Sequence, residues 1–188
     1  MNNAIKMMAL VGLGLNLGAD AAKAQDWTGF YGGLTLGQGS GEQTIPPSST
    51  PNDLDGRQFG GFAGYNFQSG NLVYGGELAV NSAEIEVGEI SNVEYTRFVD
   101  MKARLGFASG HALFYGVLGY SWDRFELLPE TSNGDGLAFG LGADLMLGEQ
   151  FFVGGEILRR NVKNGAIADI TEFEAEITTF SLRAGMRF

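Results

Sequence analysis

The sequence predicts an all-β fold, an eight-stranded antiparallel up-and-down transmembrane β-barrel. Three observations predict it. The last residues, Thr179-Phe180-Ser181-Leu182-Arg183-Ala184-Gly185-Met186-Arg187-Phe188, alternate polar and apolar up to a terminal aromatic, so the final strand keeps an apolar face to its end. Tight turns and longer polar connections alternate strictly along the chain. In a meander that sends every tight turn to one end and every long connection to the other. Finally, charged side chains select one parity in most strands, which leaves the opposite face for lipid.

Residues 1–24 have the layout of a secretory signal. Lys6 gives a positive start, residues 7–19 an apolar core and Ala22-Lys23-Ala24 a cleavage site between small residues. Cleavage is expected after Ala24, leaving residues 25–188 as one barrel domain. The longest apolar run covers residues 7–15, far short of the ~20 residues of a spanning helix. Apolar content of 44% alone would suggest a soluble protein, but barrels look the same because only alternate residues face lipid. Without residues 1–24 the chain holds 10 basic and 21 acidic residues, a net charge of −11. That balance argues against nucleic acid as a partner. The absence of cysteine excludes disulfides and thiolate metal sites.

The strands follow in order. Residues 28–38 form the first, expected to pair with the last. Residues 56–68 form the second, which turns tightly through Ser69-Gly70-Asn71. In the third, 72–83, Leu78 and Val80 face out and Glu77 faces in. In the fourth, 95–108, Val99, Met101, Ala103, Leu105 and Phe107 face out while Asp100, Lys102 and Arg104 face in. The turn Ser109-Gly110-His111 leads to the fifth, 112–125. Phe114, Leu118, Tyr120 and Trp122 there share a face with Arg124, and Tyr115 and Val117 share the other with Asp123. Phe114 and Trp122 are read as outward, with Arg124 beyond the membrane. In the sixth, 135–147, outward Leu137, Phe139, Leu141, Ala143 and Leu145 put Asp144 inside. After Gly148-Glu149, the seventh, 150–160, points Val153 and Ile157 out and Glu156 in. The eighth, 173–188, sends Arg183 and Arg187 inward. Slipping a strand by one residue would turn its charges to lipid, at ~2–4 kcal/mol for each midplane Lys or Arg. Several such terms would exceed a typical folding stability of ~5–15 kcal/mol.

The inward charges balance, Glu77, Asp100, Asp144 and Glu156 against Lys102, Arg104, Arg183 and Arg187. Eight strands leave room for little more than side chains, so an ion-paired plug is expected rather than an open channel. An ion path along the same charges is the alternative. Aromatics crowd the tight-turn end: Trp27, Phe30, Tyr65, Phe67, Tyr74, Phe107, Phe114, Phe151 and Phe188 form a predicted interfacial girdle. The long connections, 39–55, 84–94, 126–134 and 161–172, hold Pro46, Pro47, Pro51 and Pro129 and most of the acidic residues. Their carboxylates read as a solvated, repelling surface, or as ligands for divalent ions bridging to anionic lipid headgroups.

No catalytic constellation is present. His111, the single histidine, sits in a tight turn, and no HExxH, P-loop or paired-cysteine motif occurs. Gly37-Gln38-Gly39 and Gly140-Leu141-Gly142 lie within strands with no helix following, so neither reads as a nucleotide loop. No cofactor or metal is called for.

Four segments, in this order, carry a family resemblance. They are Ala22-Lys23-Ala24 with Asp26-Trp27-Thr28-Gly29-Phe30-Tyr31-Gly32-Gly33, then Gly60-Gly61-Phe62-Ala63-Gly64-Tyr65-Asn66, Lys102-Ala103-Arg104-Leu105-Gly106-Phe107-Ala108, and the ending Arg183 to Phe188. Together they resemble the small outer-membrane β-barrels of Gram-negative bacteria, the porin-like surface proteins. The resemblance implies outer-membrane localisation, lipid as the surrounding partner, and Phe188 as a signal read by the assembly machinery. It implies no single activity. A structural or surface-interaction role through four long extracellular loops, with possible ligands there, is the leading expectation. A narrow porin is second. A lipid-modifying enzyme is third, since the Ser/His site of the deacylase barrels has no counterpart in this sequence.

Overall fold

The computed structural model describes residues 25–44, 52–87, 93–127, 130–164 and 173–188. Eight strands account for nearly all of them: β1 (Gly29–Thr44), β2 (Asn52–Ser69), β3 (Leu72–Val87), β4 (Val93–Ser109), β5 (Ala112–Leu127), β6 (Glu130–Leu147), β7 (Phe151–Asn164) and β8 (Phe173–Arg187). Each pairs antiparallel with its neighbours in sequence, and β8 closes on β1 from Tyr31↔Arg187 to Thr44↔Glu174. A closed ladder leaves no strand edge, the condition for β-structure in lipid.

Alternation decides the two faces. Leu34 and Leu36 of β1, Leu78 and Val80 of β3, Met101 and Leu105 of β4, Leu137 and Leu141 of β6 and Leu182 of β8 are all exposed on the outside. Polar and charged side chains between them are buried in the interior, with Glu77, Asp100, Lys102, Arg104 and Asp144 each under 5% exposed. The inversion of the soluble pattern is what a lipid solvent requires. β5 follows suit: Leu113, Tyr115, Val117, Ser121 and Asp123 are buried, while Phe114, Leu118, Trp122 and Arg124 face out. Glycines at 70, 110 and 148 adopt positive φ (61°, 56° and 75°) at the tight turns, where a side chain would be strained.

The strands run further than the sequence predicts, from 14 residues in β7 to 18 in β2 and β6. Asp55 and Asp53 belong to β2, Glu84 and Glu86 to β3, Glu126 to β5 and Glu130 to β6. Asn133-Gly134-Asp135-Gly136, which has turn composition, lies inside β6, paired with β5 throughout and with β7 from Gly134 onward. Cross-strand pairing beyond the lipid overrides local turn preference there. The connections therefore shrink to residues 45–51, 88–92, 128–129 and 165–172, which lie outside the described residues with all four prolines, Glu89, Asp169 and Glu172. The predicted signal at 1–24 lies outside them too.

Candidate functional site

Facing side chains of five strands fill the middle of the lumen. Parity places Glu77 on β3, Lys102 and Arg104 on β4, Asp144 on β6, Glu156 on β7 and Arg183 on β8. Lys102 Nζ lies 2.8 Å from Glu77 Oε1 and 2.6 Å from Glu156 Oε1. Arg183 donates to both of the same carboxylates, at 2.6 Å to Glu77 Oε2 and 2.8 Å to Glu156 Oε2. Arg104 reaches Glu77 Oε2 at 3.2 Å and Asp144 Oδ2 at 2.8 Å. Glu77 is thus held by three cations, and Asp144 and Glu156 each bridge two strands. Phenols complete the shell: Tyr31 donates to Glu77 Oε2 at 3.0 Å and Tyr115 to Asp144 Oδ1 at 3.4 Å.

A second, separate pair lies further from the tight turns. Arg160 of β7 grips Asp100 with two donors, Nε to Oδ1 at 2.9 Å and Nη2 to Oδ2 at 2.7 Å, and gives Nη1 to Thr179 Oγ1 at 2.8 Å. Arg160 is the member that sequence reasoning misses. It shares Glu156's parity four residues further on, and that is the signal that would have found it.

Rings pack against the guanidinium faces. Arg104 stands 3.8 Å from the Tyr115 ring centroid and 5.1 Å from Tyr31, Arg183 is 4.0 Å from Phe62, and Arg160 is 4.8 Å from Phe98. Room for the tyrosines comes from glycine across the ladder. A Cβ on Gly142 would meet Tyr115 Cζ at 2.3 Å, and one on Gly64 would meet Tyr31 Cζ at 2.5 Å. The spaces left on either side of the network hold no more than about one water each.

Two predicted members sit elsewhere. Arg187 does not reach the carboxylates. It lies at the tight-turn mouth, donating to the Thr28 carbonyl at 3.0 Å and the Glu149 carbonyl at 3.2 Å. At the end of β8 strand-end and turn carbonyls take its donors instead. Trp27 is not a girdle residue: it is 3% exposed, with its ring on Phe152 at 6.1 Å. Trp27 precedes β1, and the chain bends at Gly29 (φ 130°) before Phe30 enters the strand and faces lipid. The segment before β1 crosses the mouth, where the Gln25 N–H donates to the Gly110 carbonyl at 2.8 Å and the Trp27 N–H to Gln68 Oε1 at 2.7 Å. In that segment the backbone N–H of Thr28 holds the Asp26 carboxyl below its ordinary pKa.

The other named aromatics face outward. Phe30, Tyr65, Phe67 and Tyr74 form a continuous row, with ring centroids 4.7, 4.6 and 5.7 Å apart, and Phe107, Phe114, Phe151 and Phe188 are each about half exposed or more. Among the described residues no three His, Asp or Glu side chains are grouped to hold a metal ion.

Comparison with known proteins agrees with this geometry. Residues 8–188 match the model of the outer membrane protein beta-barrel domain family. The 22 kDa outer membrane protein of Rhizobium leguminosarum bv. viciae is 30% identical over 126 residues, 65% of this chain and 56% of that protein. The chain therefore spans little more than half the length of that relative. Among solved structures, Neisserial surface protein A is similar with a TM-score of 0.56 at 13% identity, covering 86% of this chain and 98% of the other. OprG from Pseudomonas aeruginosa follows at 0.52, 13% identity and 89% and 99% coverage. Ail, the attachment invasion locus protein of Yersinia pestis, gives 0.50, 18% identity and 86% and 99% coverage. At these identities the likeness is one of fold.

Proposed function

The chain belongs to the outer membrane protein beta-barrel domain family, and from that premise we propose that it is a closed barrel whose role is structural or surface-interactive. Its place is the cell outer membrane. The observation that carries the proposal is the Glu77-centred network, which spans the lumen with the charges of Lys102, Arg104, Arg183, Glu156 and Asp144 paired. Opening a path would separate buried partners, and leaving one such charge alone costs about 3–5 kcal/mol. Under this reading the tight turns face the periplasm and the opposite end of the barrel faces outward, where a ligand would dock. Lipids surround the apolar band, and the assembly machinery reads Phe188. No reaction is assigned to any residue.

Planar-bilayer recording tests closure. The folded mature protein is expected to give no stable conductance steps, whereas reproducible single channels would establish the narrow porin instead. Binding assays with exchanged connections test the surface role.

A further inference from the structure

At the tight-turn mouth, buried donors outnumber the acceptors offered to them. Trp27 Nε1, Arg104 Nε and Arg187 Nε are each buried without a protein acceptor. All three side chains line one cavity, between the charge network and the strap of residues 25–28, with room for about one water or one small ion. The other donors of the two arginines are already used. Arg187 gives its terminal nitrogens to the Thr28 and Glu149 carbonyls, and Arg104 gives its own to Glu77 and Asp144.

The acceptors on the cavity wall look elsewhere. Asp144 takes Arg104 on one oxygen and Tyr115 on the other, and the Tyr31 hydroxyl donates to Glu77. Asn66 Oδ1 lacks a donor, but it lies over β3, 2.8 Å from where a Cβ on Gly75 would stand. A water accepts from two donors at most and brings two protons of its own that need acceptors. A halide-sized anion accepts from all three donors and brings no proton. The charges agree with the donor count. Both terminal contacts of Arg187 are to neutral carbonyls. Of the acidic groups at this end, Asp144 is held by Arg104, and Asp26 is exposed with its carboxylate on the Thr28 N–H at 2.8 Å. The terminal carboxylate of Phe188 lies against Gly29, outside the cavity lining.

We propose that this cavity binds one small monovalent inorganic anion, of the size and charge of chloride, between Trp27 Nε1, Arg104 Nε and Arg187 Nε. Charge-assisted donors in a buried site hold an anion firmly. A space of one water excludes phosphate and organic acids. The three donors come from the strap, from β4 and from β8, so the bound anion ties the strap across the mouth.

The test uses the folded mature chain in phosphatidylcholine vesicles, carrying Trp122→Phe so that Trp27 is the single indole. Bromide, a heavy-atom quencher, is titrated at constant ionic strength with gluconate as the balancing anion. Trp27 emission is expected to fall to a plateau, and chloride in place of gluconate to restore it. On the same background Arg187→Gln is expected to weaken bromide binding at least tenfold. Arg187→Lys, which keeps the charge but removes the Nε donor, is expected to weaken it at least threefold. Arg159→Gln, on the outer wall, is expected to leave it unchanged. Folding is checked by heat-modifiable mobility, and the lysine variant carries the comparison if the glutamine variant does not fold. Quenching that grows in proportion to bromide without a plateau overturns the site, as does chloride that restores no more emission than gluconate. Unchanged affinity in the folded Arg187 variants, or an equal loss in Arg159→Gln, overturns it as well.

Discussion

Glu77 shows what a single buried carboxylate does in this barrel. It pairs with Lys102, Arg104 and Arg183, from two strands, and its side chain is fully buried. A buried ion pair adds little net stability, but its rupture is costly because the partner stays desolvated. Glu77→Gln is therefore expected to lower unfolding free energy by about 3–5 kcal/mol, read from urea titration in lipid vesicles. Glu176→Gln, which removes the exposed partner of Arg159, should change it by less than about 1 kcal/mol. Similar losses in both would show that the lumen is hydrated. At this scale strand parity made Glu77, Asp100, Lys102, Arg104, Asp144, Glu156 and Arg183 legible. It did not reveal partners, since those depend on barrel tilt: Arg160, not Arg187, completes the charge balance.

At the scale of the strand, parity was legible wherever charges marked a single face and ambiguous in β5, where Arg124 marks one face and Asp123 the other. Phe30 and Trp27 read alike as strand-end aromatics, but only Phe30 lies in β1: it meets lipid at 66% exposure, whereas Trp27, before the strand, closes the mouth. Strand ends were the least legible feature. Local composition said turn at Asn133-Gly134, whereas pairing with β5 and β7 makes strand. A sequence read locally has no access to ladder partners, here Asp123 on one side of Gly134 and Asn164 on the other. The two tryptophans give a direct measurement. Brominated lipid should quench the emission of Trp27→Phe, whose remaining indole is Trp122, and leave Trp122→Phe emission nearly unchanged. Strong quenching of Trp27 would return it to the girdle.

For the whole molecule, closure depends on a seam between the chain's two ends. β8 pairs with β1 along its length, and the last amide, of Phe188, donates to the Phe30 carbonyl at 2.8 Å. Phe188 itself is 71% exposed, so its ring adds little to the interior. Its deletion is expected to lower outer-membrane yield in cells while the refolded protein keeps its thermal midpoint. Unchanged yield would remove its role as an assembly signal.

Crossing a bilayer takes about 9–11 tilted residues, yet the strands here hold 14 to 18. The surplus of roughly six residues carries the ladder ~15 Å past the hydrocarbon. The barrel is in effect a chimney, its rim raised above a shaded collar. Surfaces are sorted by height: a macromolecule arriving from solution meets the rim, whereas a lipid sliding within the leaflet meets only the apolar band below it. The two contacts can be occupied at once and altered independently. Changes at the rim can then alter what the cell presents to its surroundings without disturbing how the barrel is seated.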